Sequence, residues 1–283
     1  MNFAIIGAGG YIAEKHLQAI KETGNELVVA YDIVDSVGVL DKYFINAHFT
    51  LHKEEFWYRV MTNKVDYLVI CTPNYTHYSY IKKALLLGLK VICEKPLVHK
   101  YDLVKALEKL PYQKHINTIM QLRLNPNFEQ MKQRALKSKH WTLDYITPRG
   151  NWYFSSWKGS EYLSGGLEMN IGIHSFDLLI QFFGYPIKIE SVEMIDRESV
   201  IGHFVFENGH TVDWVLSVNP ESLSCRKFTD KETGEFIDLS NSFTNLHTKS
   251  YEEILKGNGF GLESVKDSIK LVEEVKRERQ LLR

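Results

Sequence analysis

The first 120 residues repeat one pattern: a short apolar run, a turn, then a longer stretch whose apolar positions recur at helical spacing. FAIIG leads into a helix ending near Glu22, and ELVVAYD follows. VDYLVICTP leads into HYSYIKKALLLG, LKVICEKP into YDLVKALEKL, and HINTIMQLR closes the series. Apolar runs without polar alternation predict strands buried on both faces, and the intervening helices predict a parallel sheet covered on both sides. A doubly wound α/β domain of the Rossmann type is expected over residues 1–120.

From residue 121 the pattern changes. LDYI, IKIESVEMI, IGHFVFENGHTVDWVLSV and EFIDL approach alternation of polar and apolar positions, the mark of antiparallel strands with one covered face. Asn208-Gly209 between two such runs predicts a tight two-residue hairpin turn. Helical spacing returns over about 173–183 and, strongly, in ESVKDSIKLVEEVKRER near the C-terminus. An α+β C-terminal domain with a largely antiparallel open sheet is expected over 121–283. There is no internal repeat, low-complexity tract or long linker.

Composition narrows the function. A chain of 283 residues can build two cores. Its formal net charge of -1 supplies no bulk attraction to nucleic acid or membrane, so binding must come from a local site. Cys71, Cys93 and Cys225 have no paired short spacing, which argues against a disulfide framework and a zinc cluster. No metal is expected, because no His, Cys and carboxylate set has ligand spacing. MNFAIIGAGG enters a strand at once and no apolar run is long enough for a membrane span, so the reading is a cytoplasmic protein.

The candidate chemistry lies at strand exits. Gly7, Gly9 and Gly10 allow a tight turn and close approach of a pyrophosphate to a helix N-terminus, with Tyr11 and Ile12 following. Ile12 stands where the strict fingerprint wants a small residue. Any tight strand-to-helix turn can use two glycines, but Asp32 lies 23 positions beyond Gly9 at the next strand end. An acid there accepts from both ribose hydroxyls and repels a 2'-phosphate, favouring NAD over NADP. Asp35 and Ser36 could add ribose contacts or form a solvated loop.

Thr72, Pro73 and Asn74 leave the third predicted strand where a nicotinamide would lie, although Pro-Asn is also an ordinary turn signal. His77 reads as a first-turn helix residue. Lys95 leaves the fourth strand in EKP. It either pairs with Glu94 at the surface or, partly desolvated, exchanges a proton with a substrate hydroxyl. In SGGLEMNIGIHSFDLL, positions 170, 174 and 177 fall on one helical face if the helix starts there, grouping Asn170, His174 and Asp177. His174 is either a proton relay or a satisfied histidine near a helix start. Arg123, Arg149, Trp152, Tyr153, Trp157 and Lys158 supply cations and aromatic surface for an anionic ligand, or an ordinary amphipathic loop.

Together GAGGYIA, Asp32, CTPN, EKP and GGLEMNIGIHSFD resemble the Gfo/Idh/MocA oxidoreductases over nearly the whole chain. The resemblance implies that Lys95 and His174 lie beside the nicotinamide and the sugar hydroxyl. It also brings Glu94 and Gln121 among the cofactor contacts, and Lys95, Arg123, Arg149, Tyr153, Lys158, Asn170 and His174 among the substrate contacts. DSVG, CTPNYTH, QLR, TPRGNWYFSSWKGSEYLSGGLEMNIGIH and FTNLHTKSYEEILKGNGFG are similar to the WlbA/WbpB group within that family. That group implies NAD-dependent oxidation of the 3-hydroxyl of UDP-N-acetylglucosaminuronic acid, with 2-oxoglutarate as a reoxidant in some members; the alternatives are an NAD-dependent dehydrogenase of a free sugar or cyclitol, or a non-catalytic NAD-binding sensor. The group further implies a partner sugar aminotransferase, surface polysaccharide synthesis and a homotetramer. Phe243, Thr244, His247 and Tyr251 match the group too, and packing explains them equally.

Overall fold

The computed structural model describes residues 1–240 and 245–281, so Phe243 and Thr244 lie outside the described residues. The strands are β1 (Asn2–Ile6), β2 (Glu26–Tyr31), β3 (His48–Thr50), β4 (Tyr67–Ile70), β5 (Lys90–Cys93), β6 (Ile116–Thr118), β7 (His140–Ile146), β8 (Pro186–Asp196), β9 (Ser199–Phe206), β10 (Thr211–Ser217), β11 (Cys225–Asp230) and β12 (Phe236–Asp238). The helices are α1 (Ala13–Glu22), α2 (Val39–Tyr43), α3 (Lys53–Thr62), α4 (His77–Leu86), α5 (Tyr101–Glu108), α6 (Phe128–Ala135), α7 (Trp152–Ser155), α8 (Glu161–Ser164), α9 (Ile173–Phe183), α10 (Leu246–Leu255) and α11 (Leu262–Leu281).

The chain forms two compact units, one of Met1–Val98, Asp102–Gln121 and Asn245–Ser264, the other of His99–Tyr101, Leu122–Thr244 and Val265–Arg283. The expectation of a C-terminal domain unbroken over 121–283 is corrected here. Residues Asn245–Ser264 join the first unit because α10 carries an apolar and aromatic face that packs on β1 and α1. Tyr251 is fully buried with its ring 6.0 Å from that of Phe3, and Ile254 lies in the same core as Leu17 and Ile20.

The first unit holds a six-stranded sheet in the order β3-β2-β1-β4-β5-β6, every pair parallel. All four residues of β4 and three of four in β5 are buried, as two covered faces require. The chain winds from β1 toward β3, then returns to β1's other side with β4. The exits of β1 and β4 therefore flank the switch point where doubly wound sheets bind ligands. The outer edge of β6 is covered at one point, where the Thr118 amide donates to Phe260 O at 2.9 Å.

The second unit holds a six-stranded sheet in the order β12-β11-β7-β10-β9-β8, antiparallel except for β7 beside β10. Burial alternates strictly along β9. The covered face carries Trp214, Phe204 and Trp141, and Phe176 of α9 sits 5.0 Å from the Trp214 ring. The β9–β10 turn differs from the expected two-residue form. Phe206 and His210 close it, leaving residues 207–209, and only Gly209 has a positive φ, +79°. A two-residue type I′ turn needs positive φ at both central residues, and Asn208 does not have it.

Candidate active site

In the first unit the expected cofactor residues leave neighbouring strands of one parallel sheet. In spatial order, Asp32 follows β2, Gly7–Gly10 follow β1, Thr72–Asn74 follow β4, Lys95 follows β5 and Gln121 comes after β6. At about 4.8 Å per strand, the exits of β1 and β5 are about 10 Å apart, a span that suits an extended dinucleotide.

The glycine turn is tightly built. Gly7 has φ +90°, and a Cβ there would stand 2.8 Å from the Cys71 carbonyl carbon, so only glycine fits. A Cβ on Gly9 would stand 3.3 Å from Asp32 Oδ2 and 3.2 Å from Ser36 O. Asp32 Oδ2 accepts the Gly9 amide at 2.8 Å, and Oδ1 accepts those of Ile33 at 2.7 Å and Val34 at 3.2 Å. The carboxylate is thereby aimed before any ligand arrives. Ser36 and Tyr11 are exposed, and Ile12 is half-buried as the residue before α1, where it packs on the core instead of crowding the turn.

At the β4 exit, the hydroxyls of Thr72 and Thr76 lie 2.6 Å apart, Pro73 precedes a single 3-10 turn and Asn74 is buried. His77, set aside in the sequence, bridges two exits: its ring nitrogens lie 2.8 Å from Thr72 O and 2.9 Å from Pro96 O. Burial lowers its pKa against the pull of those carbonyls. Gln121 is buried, and its Oε1 has no hydrogen-bond partner among the described residues. A buried amide oxygen of that kind needs a donor. The shaped glycine turn, the oriented acid and this acceptor fit NAD.

Glu94 departs from the expectation of a surface pair with Lys95. It is 7% exposed and its carboxylate faces inward. Oε1 accepts from His16 Nε2 and His247 Nε2, each at 3.0 Å, and Oε2 accepts the Lys95 backbone amide at 3.1 Å. His16 Nδ1 meets Tyr251 Oη at 2.8 Å. The physical reason is burial: a carboxylate there is stable only with donors around it. Burial alone would raise the Glu94 pKa, but the two histidines outweigh it and hold it well below the usual carboxylate range. Burial likewise keeps His16 below its ordinary pKa against the pull of Glu94. Lys95 is half-buried and joined to Pro96 by a cis peptide bond.

In the second unit the GGLEMNIGIH segment is a π-helical turn over Glu168–Gly172 running into α9, so the helix does not continue regularly through Asn170. A π turn is wider than an α turn, so positions 170 and 174 still lie within one turn of each other, and 174 and 177 are one α-helical turn apart. Asn170 Nδ2 donates to Tyr153 Oη at 2.9 Å. Asp177, fully buried, accepts from both Arg123 Nε, at 2.7 Å, and Arg123 Nη2, and from Ser268 Oγ. Arg123, expected to hold the substrate's anionic groups, instead neutralises this buried acid. His174 is buried in the first turn of α9.

Gly172 approaches β10 so closely that a Cβ would stand 2.6 Å from Leu216 Cδ1. The turn is also tied from α11: Arg279 donates to Glu168 Oε1 at 2.8 Å and to Glu161 Oε1 at 2.9 Å. Burial raises the Glu168 pKa against the charge of Arg279.

Two further expected cations, Arg149 and Lys158, also lie in this unit. The Arg149 amide donates to Val218 O at 2.9 Å, carrying the β7–β10 pairing past the strand end. Lys158 lies 5.1 Å above the Trp152 ring and 5.6 Å from that of Trp157. Burial, then the charge of Arg149, lowers its pKa. Burial raises that of Tyr153. The sequence reading missed His16 and the Arg279–Glu168 pair. The spacing of His247 and Tyr251, four apart on one helical face, was a signal for a shared buried partner.

Comparison with known proteins bears on this arrangement. Residues 1–120 match the oxidoreductase family pattern described as an NAD-binding Rossmann fold, and residues 139–212 match its C-terminal alpha/beta domain. The WlbA (WbpB) dehydrogenase of Thermus thermophilus, solved with NAD and alpha-ketoglutarate, is 35% identical with a TM-score of 0.88, over 98% of this chain and 94% of that one. The same enzyme solved with NAD and UDP-GlcNAcA matches at 35% identity and TM-score 0.86, over 96% and 93%. The putative oxidoreductase YteT of Bacillus subtilis is 29% identical over 49% of this chain, and that match takes in 35% of its length. The chain belongs to the Gfo/Idh/MocA oxidoreductase family, as an NAD-dependent enzyme of the sugar dehydrogenase type. Among the described residues no helix is long and apolar enough to cross a membrane.

Proposed function

We propose that this enzyme oxidises the 3-hydroxyl of a UDP-sugar, UDP-N-acetyl-2-amino-2-deoxy-D-glucuronate, to the 3-keto sugar. The observation that carries the reading is the 35% identity, spanning 96% of the chain, with a dehydrogenase solved with NAD and UDP-GlcNAcA. NAD, when bound, supplies the hydride acceptor. Gly7, Gly9 and Gly10 admit its pyrophosphate, Asp32 its adenosine ribose, and Thr72–Asn74 and Gln121 its nicotinamide half. Lys95 takes the hydroxyl proton and His174 is the second proton-handling group at that oxygen. Arg149 and Lys158 hold the carboxylate or phosphates, with Asn170 and Tyr153 orienting the sugar. The 3-keto product is the substrate for a sugar aminotransferase in surface polysaccharide synthesis, and 2-oxoglutarate serves as reoxidant.

Purified protein mixed with NAD and UDP-N-acetylglucosaminuronic acid, with and without 2-oxoglutarate, tests this by absorbance of reduced nicotinamide and mass of the product. The expected result is a 3-keto sugar, with or without a rise in absorbance. No product in either condition from protein that binds NAD contradicts it. Lys95→Met should lower turnover by at least about 100-fold while NAD still binds, within the range for a lost general base.

A further inference from the structure

We propose that His16 and His247 are positioning residues for the base: together they hold Glu94 as a buried carboxylate whose other oxygen fixes the backbone of Lys95. The inference rests on the reading of Lys95 as the base. Its geometric foundation is the pair of 3.0 Å contacts to Glu94 Oε1 and the 3.1 Å contact from the Lys95 amide to Oε2.

An ionised carboxylate only accepts, so both histidines present Nε2–H to Glu94. A neutral His16 then offers Nδ1 as an acceptor, and the Tyr251 hydroxyl 2.8 Å away donates to it. His16 lies on α1 directly after the glycine turn, Glu94 at the β5 exit, and His247 and Tyr251 on α10. One carboxylate thus ties the helix that would face the pyrophosphate to the backbone that carries the base.

The other groups acting on Glu94 are Cys71, Cys93, Tyr251 and His77. Burial pushes the three acids up and the histidine down. His16, Glu94 and His247 also present ligand atoms within 4.8 Å of one another, the spacing a cation could use. The hydrogen bonds account for that convergence without one.

The test compares His247→Leu, His247→Gln and Lys95→Met with the wild type. His247→Leu should lower kcat about 10–100-fold, the scale of a misplaced catalytic group, while the sugar KM and NAD Kd stay within about threefold. The acid limb of its kcat–pH profile should move to higher pH, since Glu94 loses a donor. Glutamine keeps an N–H donor and should restore kcat to within about fivefold of wild type. A leucine variant with wild-type kcat and pH profile, or equal losses in both variants, overturns the proposal.

A readout independent of turnover is the tautomeric state of the histidines in long-range proton–nitrogen spectra. Both histidines should carry a proton on Nε2 and should shift in Glu94→Gln, with Nδ1 of His16 unprotonated. An unprotonated Nε2 at either, a proton on His16 Nδ1, or stoichiometric zinc in the purified protein, overturns the assignment even if a variant fails to fold. Full activity in Lys95→Met would instead sink the base reading and leave the tautomer result standing.

Discussion

Asp32 shows how one side chain serves structure and recognition together. Three backbone amides reach its carboxylate, so the acid is held in one orientation before a ribose approaches. Hydrogen bonds to a charged group contribute about 1.5–3 kcal/mol each, about 10–100-fold in affinity. Asp32→Ala should therefore weaken NAD binding by about 10–100-fold and erase most of the preference over NADP, since the repulsion of a 2'-phosphate goes with the charge. Calorimetric titration with both dinucleotides measures it; unchanged NAD affinity would remove Asp32 from the binding set. Its identity was readable because strand, turn and spacing are local. The inward turn of Glu94 was not, since its partners lie 78 and 153 positions away.

Between elements, the Arg123–Asp177 pair is the main correction and it has a measurable consequence. It joins the 3-10 turn Gln121–Leu124 to α9, with Ser268 of α11 as a third contact. The side chains are 8% and 1% exposed, so neither charge has water to fall back on. Breaking a buried pair by removing one partner costs about 3–5 kcal/mol, because the other charge is left uncompensated. Arg123→Met should lower unfolding stability in urea by about that amount with the sugar KM little changed. A large rise in KM at unchanged stability would return Arg123 to the substrate set. The residue types of this segment were legible, but the pairing of Arg123 with Asp177 was not, since the partners lie 54 positions apart. The π turn at Glu168–Gly172 was not legible either, because apolar spacing carries no mark of one wider turn. The short β3, at three residues, and α3 fell in a stretch the sequence reading left without elements; so small a strand gives periodicity little to work on.

At the scale of the whole molecule, the parallel sheet and the alternating second sheet followed from apolar patterning, which reports burial on two faces or one. The docking of α10 did not, because an amphipathic helix announces a buried face without naming the surface it covers. That helix supplies His247 and Tyr251 to a network that also bears on stability against pH. His16, His77 and His210 all have pKa values lowered by burial. Below the unfolded value of about 6.5 the unfolded chain binds protons that these histidines refuse when folded, so stability falls as pH drops toward their folded values. Glu94 stays ionised through that window, because its folded pKa lies well below the usual range, and its contribution is lost only at lower pH. Glu168 acts in the opposite sense: its raised pKa makes the folded state take up a proton sooner. Three histidines against one carboxyl give a net loss, expected at about 1–3 kcal/mol between pH 7.5 and 5.5 in urea unfolding. His16→Gln should flatten that slope by up to one proton, about 1.4 kcal/mol per pH unit below 6.5. A slope unchanged by the substitution would mean that His16 titrates alike in both states and that burial does not hold it neutral.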